Sequence, residues 1–163
     1  MKIDIARQPL VPAFMTLFAL AVAAMCAGIP VSDTSGAVRD ALPLLGGQLA
    51  RFQAAYPVWS KFAAGFMLLF TGMCAGRITI RYNLYTVGTC LPIPLYAIVA
   101  CGIATGGNYL AGFAASMLLA LATKNYCRAF CNGYGFDAIF RASLYLGLMP
   151  LVYAPGLPML LLL

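Results

Sequence analysis

The sequence predicts an all-α fold, a polytopic transmembrane helix bundle of about five spans followed by a proline-broken C-terminal segment. Three observations predict it. First, 63% of the 163 residues are hydrophobic and only 9% are charged, where a soluble domain carries about 25% charged residues; the mean hydropathy is +0.92. Exposing so much apolar surface to water costs roughly 25 cal/mol per Å², and a bilayer removes that cost because the surroundings are apolar too. Second, the apolar runs are continuous and rich in Ala, Leu, Met and Gly. A barrel strand would alternate apolar with polar residues. In lipid an unpaired backbone amide costs several kcal/mol, so a continuous run must satisfy its own amides as a helix. Third, the ten Lys and Arg, which set a net charge of +6, fall between the runs instead of along one stripe. Topology signals are distributed in this way and nucleic-acid footprints are not.

The first run, residues 10–31, follows Lys2 and Arg7. At about 22 residues it exceeds the 7–15 of a signal-peptide core, so it reads as a retained span. Ala19, Ala23 and Ala27 share a face of it and predict close approach of a neighbour. Residues 32–57 make a long polar connection, whose middle, residues 44–56, reads as a short interfacial helix with Arg51 toward water. Trp59, beside Tyr56 and Lys61, reads as an interfacial anchor. The second span, residues 60–80, carries a small-residue step at Gly72 and Gly76, expected to be a packing contact. Arg77 and Arg81 lie one turn apart at its end, where Asn83 can stop the helix.

Pro92 and Pro94 open the third span, residues 89–103, because a first helical turn tolerates proline. A tight turn at residues 105–108 leads to the fourth span, residues 109–123, which ends at a basic cluster of Lys124 and Arg128. The fifth, residues 136–150, starts with Asp137 and Arg141 at i,i+4, a self-neutralising pair. Pro150, Pro155 and Pro158 each lack the helix donor and predict a broken helix or hairpin, with residues 151–163 as a partial span or hairpin arm. Only seven residues follow Gly156, too few to cross, which raises the expectation that the sequence is part of a longer protein. The basic residues of the N-terminus and of the loops after the second and fourth spans place those segments in the cytoplasm. The first loop, with Arg39, Arg51 and Lys61, is the exception; long loops are weaker topology signals.

General acid–base catalysis is poorly served by a chain with no His and no Glu. Asp137, the single acid near a span, reads as a helix-start residue paired with Arg141. Nucleophile elbows, phosphate loops and zinc spacings are absent, so no catalytic residue, metal or cofactor is predicted. Cys26, Cys74, Cys90 and Cys101 fall in or beside apolar runs and read as small hydrophobes. Cys127 and Cys131 share a helix face but offer only two soft ligands. The candidate site is a cytoplasmic basic rim: Arg77, Arg81, Tyr82 and Asn83 with Lys124, Asn125, Tyr126 and Arg128. Packing of the second span on the fourth would gather these cations and aromatic rings at headgroup depth, suited to an anionic lipid. The plainer reading is a positive-inside anchor.

The order R-Y-N-L-Y, then T-C-L-P, then K-N-Y, F-D-A-I-F-R and L-G-L-M-P-L-V-Y-A-P, over about residues 77–160, resembles the N-terminal half of an uncharacterised multi-span inner-membrane family of Bacteroidota. The family pattern resembles N-R-x-x-I-R-Y-N-L followed by x-Y-L-P, so Cys90 in place of the tyrosine is a departure. The resemblance implies further spans beyond this sequence and supplies no activity. The functional expectation is a non-enzymatic membrane component that packs with other membrane subunits in an envelope assembly. The alternative is a transporter or handler of an anionic lipid or lipid-linked glycan, with the segment from Pro150 to Pro158 lining a cavity.

Overall fold

A computed structural model of the chain describes residues 10–26, 44–82, 90, 92–104, 109–131 and 135–154. Among them every regular element is an α-helix: α1 (Leu10–Cys26), α2 (Leu44–Ala55), α3 (Pro57–Arg81), α4 (Pro92–Ala104), α5 (Tyr109–Cys131) and α6 (Phe136–Val152). Local chemistry sets several ends. Pro57 and Pro92 each occupy a first helical position, where no backbone donor is lost. The Gly135 carbonyl opens α6 by accepting from Ala138 and Ile139 at 2.9 and 3.1 Å. Pro150 lies inside α6, which runs only two residues further before Tyr153 turns extended (φ −143°, ψ 109°). Pro155 and Pro158, and with them the expected hairpin, lie outside the described residues, as do Asn83, Ala27 and the turn at 105–108.

Length separates the helices. With 25 residues, α3 is about 37 Å long and is the one described helix both long and apolar enough to cross a membrane. The 17-residue α1 and α6 measure about 25 Å each, and the 13-residue α4 about 20 Å. α5 is longer than its apolar run: helix continues past Thr123 through Lys124 and Arg128 to Cys131. The expected basic loop is therefore helical, because Lys, Arg and Ala all favour helix and nothing before Asn132 and Gly133 breaks it.

α3 is the mast of the bundle. α1 and α4 pack on it and on each other, α5 packs along another side, and α6 pairs chiefly with α5. α2 lies across the end where α3 and α5 begin and α6 finishes. Ser60 meets Tyr109 at one end, and the other ends of α3 and α5 share a cavity at Arg77 and Lys124, so the two helices run parallel. α4 returns antiparallel to α3, Ile93 meeting Gly76 and Tyr96 meeting Gly72. The main core joins Leu17 of α1, Leu68 of α3, Ile93 and Ala97 of α4, and Leu110 and Phe113 of α5. A second seam sets Ala115 and Ala122 of α5 against Leu146 and Met149 of α6.

The buried stripe of α1 is Ala13, Leu17 and Ala21, whereas Ala19 and Ala23 of the expected small-residue stripe point outward. The cause lies on the partner. Gly72 leaves a hollow in α3 that Leu17 fills, and a Cβ added there would stand 2.8 Å from both Leu17 methyl carbons. A Cβ on Gly76 would stand 2.5 Å from Ile93, which is 1% exposed and has little room to yield. Gly72 and Gly76 thus serve packing within the chain. Gly147, on the outer face of α6, has nothing within 4 Å. Overpacking costs typically about 1–3 kcal/mol, against a helix-propensity gain of about 1 kcal/mol for Gly→Ala. Gly76→Ala should therefore lower the melting temperature in detergent, whereas Gly147→Ala should raise it; a rise for both would mean that the α3–α4 contact is loose.

Candidate functional site

One face of α3 turns from apolar to basic as it nears its C-terminus: Phe70, Cys74, Arg77, Ile78 and Arg81 recur at helical spacing. α5 lies alongside, its small residues Ala111 and Ala114 buried in a cluster that Met67 of α3 packs against. Lys124, one step past the apolar run of α5, closes the other wall. Together with Tyr82 these side chains line a cavity of about 180 Å³. Cys74 and Ile78 are its buried lining; Phe70, 38% exposed, flanks them, and the exposed Arg77, Arg81 and Lys124 with half-buried Tyr82 form its mouth.

The electrostatics are one-sided. The side chains of Arg77, Arg81 and Lys124 make no ion pair or hydrogen bond among the described residues. All three are exposed. The described acid, Asp137, is taken by Arg141 through contacts of 3.1 Å on the exposed face of α6. The C-terminus of α3 contributes about −0.5 of charge, which offsets only part of three cations.

The other expected rim residues lie elsewhere. Tyr126 is half-buried in the α5–α6 seam beside Leu146 and Met149. Asn125 donates to the Leu121 carbonyl of its own helix at 2.8 Å. Arg128 is exposed one turn beyond Lys124 and does not line the cavity. Asn83 is outside the described residues. Cys127 and Cys131 do share the last turns of α5, half-buried and exposed respectively, both as free thiols. Burial pushes the Cys127 thiol up, and Cys131 beside it adds to the rise, so Cys127 is a poor thiolate at neutral pH. Among the described residues no three His, Cys, Asp or Glu side chains come together.

A polar cluster that the sequence reading missed fixes the opposite end. Ser60, fully buried, gives its proton to the Pro57 carbonyl at 2.8 Å. Its second contact, 2.6 Å to the Tyr109 hydroxyl, is therefore one in which Tyr109 donates. Gln53 of α2, 6% exposed, accepts from the Leu110 amide at 3.4 Å, a first-turn donor with no partner inside α5. The available signal was a hydroxyl within the first turn of each of two spans, legible only once those spans are known to run parallel.

No protein-family model, curated protein or solved structure matches the chain.

Tyr109→Phe removes one buried hydrogen bond, for which about 0.5–1.5 kcal/mol is typical. The expected result is a lower melting temperature and, in combination with Ser60→Ala, a loss smaller than the sum of the two single losses, the remainder being the Ser60–Pro57 bond that Ser60→Ala also removes. Additive losses would mean that the two hydroxyls act independently.

Proposed function

We propose that the chain is a multi-pass protein of a bacterial inner membrane, with its N-terminus and the Arg77–Lys124 end in the cytoplasm. The observation that carries this reading is the outer surface of α3, the helix long enough to cross: Trp59, Phe62 and Phe66 are each at least 60% exposed and point away from the bundle. Ile98 and Val99 of α4 and Phe140 of α6 are likewise exposed. Side chains of this kind belong against acyl chains. Parallel α3 and α5 with antiparallel α4 between them fit successive crossings, and Arg77, Arg81, Lys124 and Arg128 at one end fit the positive-inside rule. The five-span count and the kinship with the Bacteroidota inner-membrane family are part of this proposal, supported by the apolar runs and by the motifs quoted for them.

For the role, we propose a non-enzymatic component that packs against membrane lipids and other membrane subunits in an envelope assembly. Its support is an open apolar groove on the outside of α2 and α3, lined by Phe52, Tyr56, Trp59, Phe62, Ala63 and Phe66. A second reading, a handler of an anionic lipid or lipid-linked glycan, is favoured by the cavity at Arg77, Arg81 and Lys124.

The test of the membrane reading is fractionation and single-cysteine labelling. The protein should stay with membranes through alkaline carbonate. In a background without other cysteines, Cys131 should react with an impermeant maleimide from the cytoplasmic face only, and Gly47→Cys from the opposite face only. Release by carbonate, or labelling of both positions from one face, would contradict it.

A further inference from the structure

Resting on the second reading above, we infer that the cavity between α3 and α5 binds a membrane lipid whose headgroup is a phosphomonoester. The argument begins with charge. Three cationic side chains, Arg77, Arg81 and Lys124, meet at one mouth, and none has a partner among the described residues. A topology anchor has no need of convergence, because counting charges on one side of the membrane is enough to orient a helix. Arg77 and Arg81 come from one helix and Lys124 from its neighbour, so the gathering depends on the α3–α5 packing.

Charge also selects among phosphates. A phosphodiester brings one negative charge, whereas a phosphomonoester brings about −1.5 to −2 at pH 7 and three acceptor oxygens. Two guanidinium forks and an ammonium match that acceptor set, because Arg meets phosphate through paired N–H donors. Tyr82 at the same mouth adds a hydroxyl.

The walls select a lipid over free phosphate. The apolar lining is Phe70, Cys74 and Ile78, of which Cys74 and Phe70 lie about one and two turns before Arg77, toward the middle of α3. Inorganic phosphate gains nothing from such a wall. A glyceryl or prenyl stem does, at about 0.8 kcal/mol per buried CH₂. The volume of about 180 Å³ is less than the roughly 300–1,000 Å³ of pockets that enclose a drug-sized ligand. The cavity thus holds the headgroup and the first carbons, and the chains run on into the bilayer.

The test uses the full chain in mild detergent, titrated with phosphatidate, phosphatidylglycerol and inorganic phosphate and read by native mass spectrometry. Phosphatidate should bind about tenfold more tightly than phosphatidylglycerol, and inorganic phosphate should be the weakest. Arg81→Gln with Lys124→Gln should cut phosphatidate affinity about 30-fold, at on the order of fivefold per cation, while Arg128→Gln, which removes a charge outside the cavity, should change it less than about twofold. Arg81→Lys, which keeps the charge and the fold, should lose affinity without abolishing binding. Equal binding of the two lipids, an equal loss in Arg128→Gln, or inorganic phosphate as tight as lipid would each overturn the inference. A chain that resists carbonate extraction yet shows no phosphatidate preference loses only this site, whereas a chain released into the aqueous fraction loses the membrane reading and the site with it.

Discussion

An outward face as apolar as the inward one is the constraint on which the rest of this structure depends. Along α3, Leu68 is fully buried while Phe66, two residues earlier, is 67% exposed. In water Phe66 would forfeit most of the gain that Leu68 makes, since the gain scales with apolar area removed from water. Under the proposed setting in lipid the exposed face costs nothing, and helix association must then come from close packing and a few hydrogen bonds. Both are found where the helices cross: Leu17 in the hollow of Gly72, Ile93 over Gly76, and the Ser60–Tyr109 pair.

That division of labour shapes the candidate site. The lower ends of α3 and α5 are tied by Ser60, Tyr109 and Gln53, and their middles by small residues of α5. With position and parallel direction so fixed, the last turns bring Arg77 and Arg81 to face Lys124. Gly76, Ile78 and Ala122 do the packing in those turns, and the exposed Arg77, Arg81 and Lys124 take no part in it. The cavity is a consequence of two long helices that stay helical beyond the apolar stretch.

The helical class was legible because continuous apolar runs admit no other solution in lipid, and several local devices were legible because they are short-range. Pro92 opens a helix, Asp137 pairs with Arg141 across one turn, and a helix covers most of residues 44–56 with Arg51 exposed. What sequence could not resolve was which side of an apolar helix faces inward. α1 is apolar all round, so the choice of Leu17 over the Ala19 and Ala23 stripe was made by Gly72 on another helix. The same reason separates Lys124, which reaches the cavity, from Tyr126, two residues on, which turns to α6. The end of α5 was misjudged because polarity was read as loop, although Lys124, Asn125 and Arg128 sit comfortably in a helix that has merely left the apolar zone.

The central claim, that the outward side chains of α3 face acyl chains, is tested most directly by the fluorescence of Trp59. It is the chain's single tryptophan and is 68% exposed on the bundle surface. In reconstituted vesicles the account predicts blue-shifted emission, quenching by brominated lipids that is strongest for bromines near the headgroup, and little quenching by aqueous iodide. Emission at the wavelength of tryptophan in water, quenched by iodide and indifferent to brominated lipid, would contradict it.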